Sequence, residues 1–155
     1  MKMASFKPVI FFSTWCVLVM GVFAEVNFED CGSLHGEFSS LKLTGCDPSS
    51  MDVCPLKRGK NVTIEVNFLT KEEVTKVDVQ VHGHIVVSVP FILPNPNGCV
   101  DSGLTCPLAN NTQNTYVLTL PIKMVYPKLK VDIKLELEDQ NGEDIICVMI
   151  PAKIV

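Results

Sequence analysis

Few residues in this chain have chemistry to offer: seven cysteines, three histidines, a short acidic turn and the sequons Asn61-Val62-Thr63 and Asn110-Asn111-Thr112. Thiolates and imidazoles ligate metals or act as nucleophiles and bases, so their spacing is decisive. His82 and His84 are two apart, which on a strand puts both on one face. No third ligand lies near them in sequence, and no metal is expected there. The acidic run from Asp139 to Asp144 lacks the ligand spacing of a calcium loop. There is no G-x-S-x-G, no H-E-x-x-H and no glycine-rich phosphate loop. The expectation is a protein that is not an enzyme and carries no cofactor. The sequons Asn61 and Asn110 both abut loop-like sequence and read as glycan acceptors.

The cysteines divide by compartment. Lys2 and Lys7 precede an apolar run from Val9 to Val22, and Val22-Phe23-Ala24 places small or modest side chains where a signal peptidase cuts. Residues 1–24 therefore read as a secretory signal peptide; the run is short and its C-terminal flank acidic, which argues against a membrane anchor. Cys16 leaves with it, so six cysteines remain, an even number that in a secreted chain argues for three disulfides. If all three form, no free thiol is left. Cys31 and Cys147 stand near the two ends of the mature chain, while Cys46 to Cys54 and Cys99 to Cys106 bracket short loops, yet six cysteines allow fifteen pairings. Removing Lys2 and Lys7 leaves 11 basic against 17 acidic residues, a balance that disfavours nucleic acid as a partner.

Residues 25–155 suit one domain, and its patterning is almost everywhere of period two. Leu129, Val131, Ile133, Leu135 and Leu137 alternate with Lys130, Asp132, Lys134, Glu136 and Glu138, a strand with one buried and one wet face. Asn141-Gly142 then predicts a hairpin into Ile145–Ile150. Val62 to Phe68, Tyr116 to Leu120 and, more weakly, Val26–Cys31 and Glu37–Leu43 add strands. A long inward row runs from Val77 through Val79, Val81, Gly83, Ile85 and Val87 to Val89. Within it Gly83 leaves room where a side chain would pack, or marks a bulge. Six or seven antiparallel strands punctuated by Gly, Pro and Asn predict an all-β sandwich.

The most informative stretch is Val87 to Cys106. Pro90, Pro94 and Pro96 end regular pairing, yet Phe91, Ile92 and Leu93 are large and apolar. A segment crossing an edge of the fold with these side chains turned towards a core or cavity accounts for both.

With these residues in view the chain resembles the ML (lipid-recognition) family, and within it the small luminal sterol carriers. The ordered landmarks are Asp30-Cys31-Gly32, Cys54 to Gly59, Val81-His82-Gly83, Val89-Pro90-Phe91 through Cys99, Cys106-Pro107, Leu120-Pro121, Tyr126-Pro127 and Cys147 through Pro151. The resemblance implies an immunoglobulin-like sandwich of about seven antiparallel strands, the disulfides Cys31–Cys147, Cys46–Cys54 and Cys99–Cys106, and a ligand held between the sheets. It implies pocket contacts from Phe91, Ile122 and Tyr126, with Val89 and Leu93 beside Phe91 and Val148 completing the ligand-binding set. Val148 stands where the family has an aromatic, Phe91 is followed by Ile92-Leu93 rather than at once by a second proline, and the Cys46–Cys54 loop is longer than the carriers'. The expected ligand is a sterol or fatty acid, handed to a membrane sterol transporter or a membrane surface by a monomer in the extracellular space or an endosomal or lysosomal lumen. The competing expectation is an innate-immune protein that binds microbial lipid such as lipopolysaccharide, for which Lys123 and Lys128 would supply charge at the rim.

Overall fold

The computed structural model describes residues 28–46 and 50–155; the expected signal peptide, residues 1–24 with Cys16, lies outside them. Among the described residues the strands are β1 (Glu29–Asp30), β2 (Gly36–Leu43), β3 (Cys54–Leu56), β4 (Lys60–Thr70), β5 (Asp78–His84), β6 (Ser88–Pro90), β7 (Gln113–Ile122), β8 (Lys130–Glu138) and β9 (Asp144–Ile154). They form two sheets. The smaller has the order β2-β4-β7 and the larger β1-β9-β8-β5-β6, with β3 lying alongside β9. This is the expected immunoglobulin-like sandwich, with one departure: β3 runs parallel to β9.

The alternating rows account for the core. Val62, Ile64, Val66 and Phe68 of β4 face Val131, Ile133, Leu135 and Leu137 of β8 across the interior, all nearly inaccessible to water. Each such side chain contributes about 1.5–3 kcal/mol by leaving water. On the opposite face of β8, Glu136 is also largely covered, by its ion pair with Lys134 and by His82, whose Nδ1 lies 3.6 Å from the carboxylate.

The strand β9 continues past Ile150 to Ile154, although Pro151 lies in its path. Proline removes a ladder donor. Here β1 has already ended at Met149 and β3 begins only at Ala152, so on that side no pairing is lost.

The inward row expected from Val77 to Val89 breaks at His84. The chain reverses at Ile85–Val87, where the Ile85 amide donates to the Val87 carbonyl at 3.2 Å, and β6 pairs back on β5. Ile85, Val87 and Val89 are consequently exposed, because beyond His84 they project past the sheet's covered interior. After β6 the chain keeps running beside β5: the Phe91 amide donates to the Val81 carbonyl, the Val79 amide to the Pro96 carbonyl, and the Gly98 amide to the Val77 carbonyl, each at 2.8 Å. Residues 92–95 arch away between these anchors.

The end of the sandwich where β8 turns into β9 is tied by polar contacts. The Asp139 carboxylate accepts the amides of Asn141 (2.7 Å) and Glu143 (3.0 Å), and Gly142 takes the left-handed conformation (φ 77°) that the turn requires. Nearby, His35 faces Glu143 at 3.0 Å and Glu72 at 3.2 Å, joining three loops. Burial raises the Asp139 pKa, but the two amides outweigh it and leave the carboxyl below its ordinary value near 3.8. A carboxylate whose folded pKa is depressed contributes stability that is complete above the unfolded value, and this is lost as pH falls through the folded one. Asp139→Asn should cost about 1–3 kcal/mol at neutral pH. Denaturant melts from pH 7 to 2 should show this gap closing only below about pH 4; a gap that closes above pH 5 would show that the carboxylate is not its source.

Candidate functional site

At the opposite end, the strand alternation, the proline segment and the β7–β8 connection enclose a void of about 220 Å³. Its floor is the inner face of the larger sheet: Gly83 of β5, Val131 of β8 and Ile154 of β9. One wall is the hairpin tip and the chain beyond it, from Ile85 through Val89, Pro90 and Phe91; the other is Tyr126, Pro127 and Leu129. Among the described residues that line it there is no carboxylate, imidazole, thiol or amine. The Phe91 and Tyr126 rings meet edge to face, with centroids 5.8 Å apart and planes at 87°, and so bridge the two walls.

Gly83 positions this arrangement. It keeps regular register with Ile133, so it is not a bulge. A Cβ added here would lie 3.1 Å from Phe91 Cε2 and 3.1 Å from Val131 Cγ2. The room left by the missing side chain is therefore taken by the Phe91 ring, which lies against the sheet where any larger residue would displace it.

Of the residues expected to contact ligand, the fold brings Phe91, Tyr126 and Val89 together around the void. Leu93 is half-buried against the core and lines a second recess with Val79, Val81, His82, Pro90, Phe91 and Pro96, on the other side of the Phe91 ring. Ile122 and Val148 do not line the void. They are buried on the inner faces of β7 and β9, Ile122 at the end of β7 next to the rim and Val148 in the middle of β9. Ile92 points outward, 85% exposed, because an extended backbone sends alternate side chains to opposite sides. The expected disulfides are present, Cys31–Cys147, Cys46–Cys54 and Cys99–Cys106. Asn61, at the start of β4, and Asn110, in the turn before β7, are both exposed.

Val131, Leu129 and Ile154 were not singled out from sequence as lining residues. The first two belong to the best-patterned row, and that periodicity marks them as inward without marking where the core ends and a void begins. Ile154 lies beyond Pro151, where strand pattern alone stops.

His82 and His84 lie on the outer face of β5, where His84 Nε2 is 3.4 Å from Ser88 Oγ. Ligand atoms of His35, Asp139 and Glu143 converge at the other end of the molecule, but the Asp139 oxygens already accept the turn's own donors.

A two-layer β-sandwich that keeps an apolar void at one end, with an aromatic pair across its mouth, is built to bind apolar ligands. Comparison with known proteins places it further. The model of the ML domain matches residues 25–154. The chain is 44% identical over 140 residues to NPC intracellular cholesterol transporter 2 homolog a of Drosophila melanogaster, an alignment covering 90% of this chain and 94% of that one. Its fold is similar to the crystal structure of a Niemann-Pick type C2 protein from the Japanese carpenter ant, with TM-score 0.78 and 35% identity over 83% of this chain and 98% of that one. Chicken MD-1, crystallised with lipid IVa, shares the fold at TM-score 0.51 and 14% identity, over 80% of this chain and 85% of that one. The chain belongs to the ML family.

Proposed function

We propose that the protein is a secreted or luminal carrier that takes one sterol or fatty acid into the void beneath Phe91 and Tyr126 and transfers it. The observation that carries this reading is the composition of the void, whose lining among the described residues offers no charged group and, apart from the Tyr126 hydroxyl, no polar side chain. The relatives named as cholesterol transporters support it. Such a site binds by shape and dryness and has no group with which to turn a ligand over. An alkyl chain of about sixteen carbons, buried at ~0.8 kcal/mol per CH₂, gains roughly 12 kcal/mol. Association costs at least about 4 kcal/mol, which leaves an affinity near micromolar, suited to uptake and release.

The void is smaller than the roughly 300–1,000 Å³ typical of sites for drug-sized ligands. A sterol therefore enters only while Phe91 and Tyr126 are parted, and the rings close over it once the sheets have opened towards Ile122 and Val148, which become contacts only in the filled state. Val89 contacts the ligand at the mouth, and Leu93 supports the Phe91 ring from behind. Residues 1–24 direct the chain to the secretory lumen, residues 25–155 form the lipid-binding domain, and Asn61 and Asn110 carry glycans. Organic extraction of protein purified from its native source, followed by mass spectrometry, tests the reading. Recovery of no lipid, together with no displacement of a fluorescent sterol or fatty acid, would sink it. Presentation of a phosphorylated microbial lipid is the competing reading, favoured by Lys123 and Lys128 exposed beside the rim. Binding of lipopolysaccharide that persists above about 0.15 M salt would support that alternative.

Transfer needs a surface to transfer to. Ile85, Val86 and Val87 are 52%, 96% and 66% exposed at the hairpin tip, and Met124 and Val125 are 65% and 84% exposed on the opposite wall. An apolar collar around an apolar void fits hand-off at a membrane, or at a membrane transporter, by a monomeric carrier. Val86→Asp and Val125→Asp should together slow transfer of a fluorescent sterol to phospholipid vesicles about tenfold or more, while affinity for the sterol stays within about twofold. Unchanged transfer would assign the collar no part in it.

A further inference from the structure

The rim that carries Tyr126 belongs to neither sheet. Strand β7 ends at Ile122 and β8 begins at Lys130. Within the segment the Tyr126 amide donates to the Lys123 carbonyl at 3.1 Å, forming a tight turn. What fixes that turn to the body of the protein is the β3–β4 connection, Lys57 to Gly59. The Gly59 amide donates to the Ile122 carbonyl at 2.6 Å, and Arg58 Nη1 donates to the carbonyls of Met124 (3.2 Å) and Tyr126 (3.3 Å). Alternate carbonyls of the rim are thus gathered by one short turn. Gly59 is left-handed (φ 73°), and Met124 lies over it, with its sulfur 3.0 Å from where a Cβ would be. Arg58 is itself held from behind, its amide donating to the Val155 carbonyl at 3.1 Å next to Ile154 of the void floor.

The guanidinium is not placed for its own satisfaction. Arg58 is only half-buried, but its Nε is covered and has no hydrogen-bond partner, so that donor has given up water while Nη1 reaches two carbonyls on a segment with no sheet of its own. We propose that Arg58 is the latch of the void: it holds the 123–127 rim down, keeps the Tyr126 ring against Phe91, and thereby sets the rate at which ligand enters and leaves. Arg58 is a positioning residue, since it does not line the void. The inference rests on the proposed ligand site, but it also makes a statement about the empty protein. A latch that favours the closed rim equally in the empty and filled states changes the barrier between them and not their difference. Removing it therefore speeds uptake and release together.

The test compares wild type with Arg58→Met, which keeps the length of the side chain and loses its donors, and with Arg58→Lys, which keeps the charge and reaches one carbonyl at a time. Hydrogen exchange on delipidated protein, followed by mass spectrometry, reads the latch without ligand. Amides of 123–129 should exchange about tenfold faster in Arg58→Met, with β8 and β9 unchanged and Arg58→Lys intermediate. Stopped-flow exchange of dehydroergosterol should show both rate constants raised about tenfold, with the dissociation constant within about threefold of wild type. Faster rim exchange in a protein whose wild type binds neither dehydroergosterol nor a fluorescent fatty acid would uphold the latch and refute the carrier reading. Rim exchange unchanged in both variants overturns the latch, as do faster rim amides with unaltered ligand rates. Should Arg58→Met fail to fold, the same readings on Arg58→Lys decide.

Discussion

Phe91→Ala will remove lipid binding and cost less than the roughly 3–5 kcal/mol of a packed core aromatic, whereas Ile133→Ala will cost about 2–5 kcal/mol whether or not ligand is present. The contrast comes from where the two side chains sit. Ile133 is 1% exposed at the middle of β8, registered against Gly83 of β5 and Ile150 of β9, and its truncation leaves a cavity that three rigid strands cannot close. Phe91 is only half-buried, on a segment after β6, with its ring leaning on Gly83 and Tyr126. Its loss enlarges a void that already exists and removes one side of the roof. Paired denaturant melts on delipidated protein, with displacement titrations of a fluorescent sterol and a fatty acid, measure both quantities. If Phe91→Ala unfolds the domain as severely as Ile133→Ala, the stretch is core and the assigned site is wrong.

The second large effect concerns the longest covalent tie. Cys31–Cys147 spans 116 residues and joins the start of the domain to central strand β9, while Cys99–Cys106 spans only 7. On the chain-entropy account, closing the long loop stabilises by about 4–5 kcal/mol and closing the short one by about 2.5 kcal/mol. The double change Cys31→Ala/Cys147→Ala should therefore lower stability by about 2 kcal/mol more than Cys99→Ala/Cys106→Ala. Urea melts of the two variants, referred to wild type, provide the comparison. Equal losses would show that local packing around the sulfurs, and not restriction of the unfolded chain, sets the contribution of each bridge.

How much of this was legible depends on whether a pattern has one physical reading. The row on β8 does: alternation over nine residues with charges between leaves only a half-buried strand, and the strand is there. Phe91 was legible as an inward aromatic because prolines and large apolar residues rarely share an exposed loop, and Tyr126 came from family resemblance. The hairpin tip was not. Ile85-Val86-Val87 contains no Gly, Pro, Asn or Asp, and three apolar residues of high strand propensity read as a continuation of β5. Their reversal and exposure depend on where the sheet ends, a tertiary fact. Ile122 and Val148 illustrate a different limit. Residues on the inner faces of the two sheets carry the same apolar signature whether they touch a neighbour or a ligand, so sequence places them inside without saying how near the void they lie. Arg58 was legible only as part of the Cys54 to Gly59 landmark; its role was not, since one arginine in a turn is ordinary and its two carbonyl partners are backbone atoms.

The segment that walls the void also closes the flank of β5, so one stretch of chain both bounds the pocket and covers a sheet edge. Between Phe91 and Pro96 the chain arches away from β5, and the amide of Val79 and the carbonyl of Val81 are capped by the two ends of that arch. Were the segment to peel back beyond residues 92–95, β5 would present unpaired donors and acceptors beside Val79 and Val81, a template on which a second copy could add a strand. Pro90, Pro94 and Pro96, which cannot themselves donate to a foreign strand, stand along that edge. A change that loosened the segment to admit a bulkier ligand would thus also uncover a sheet edge.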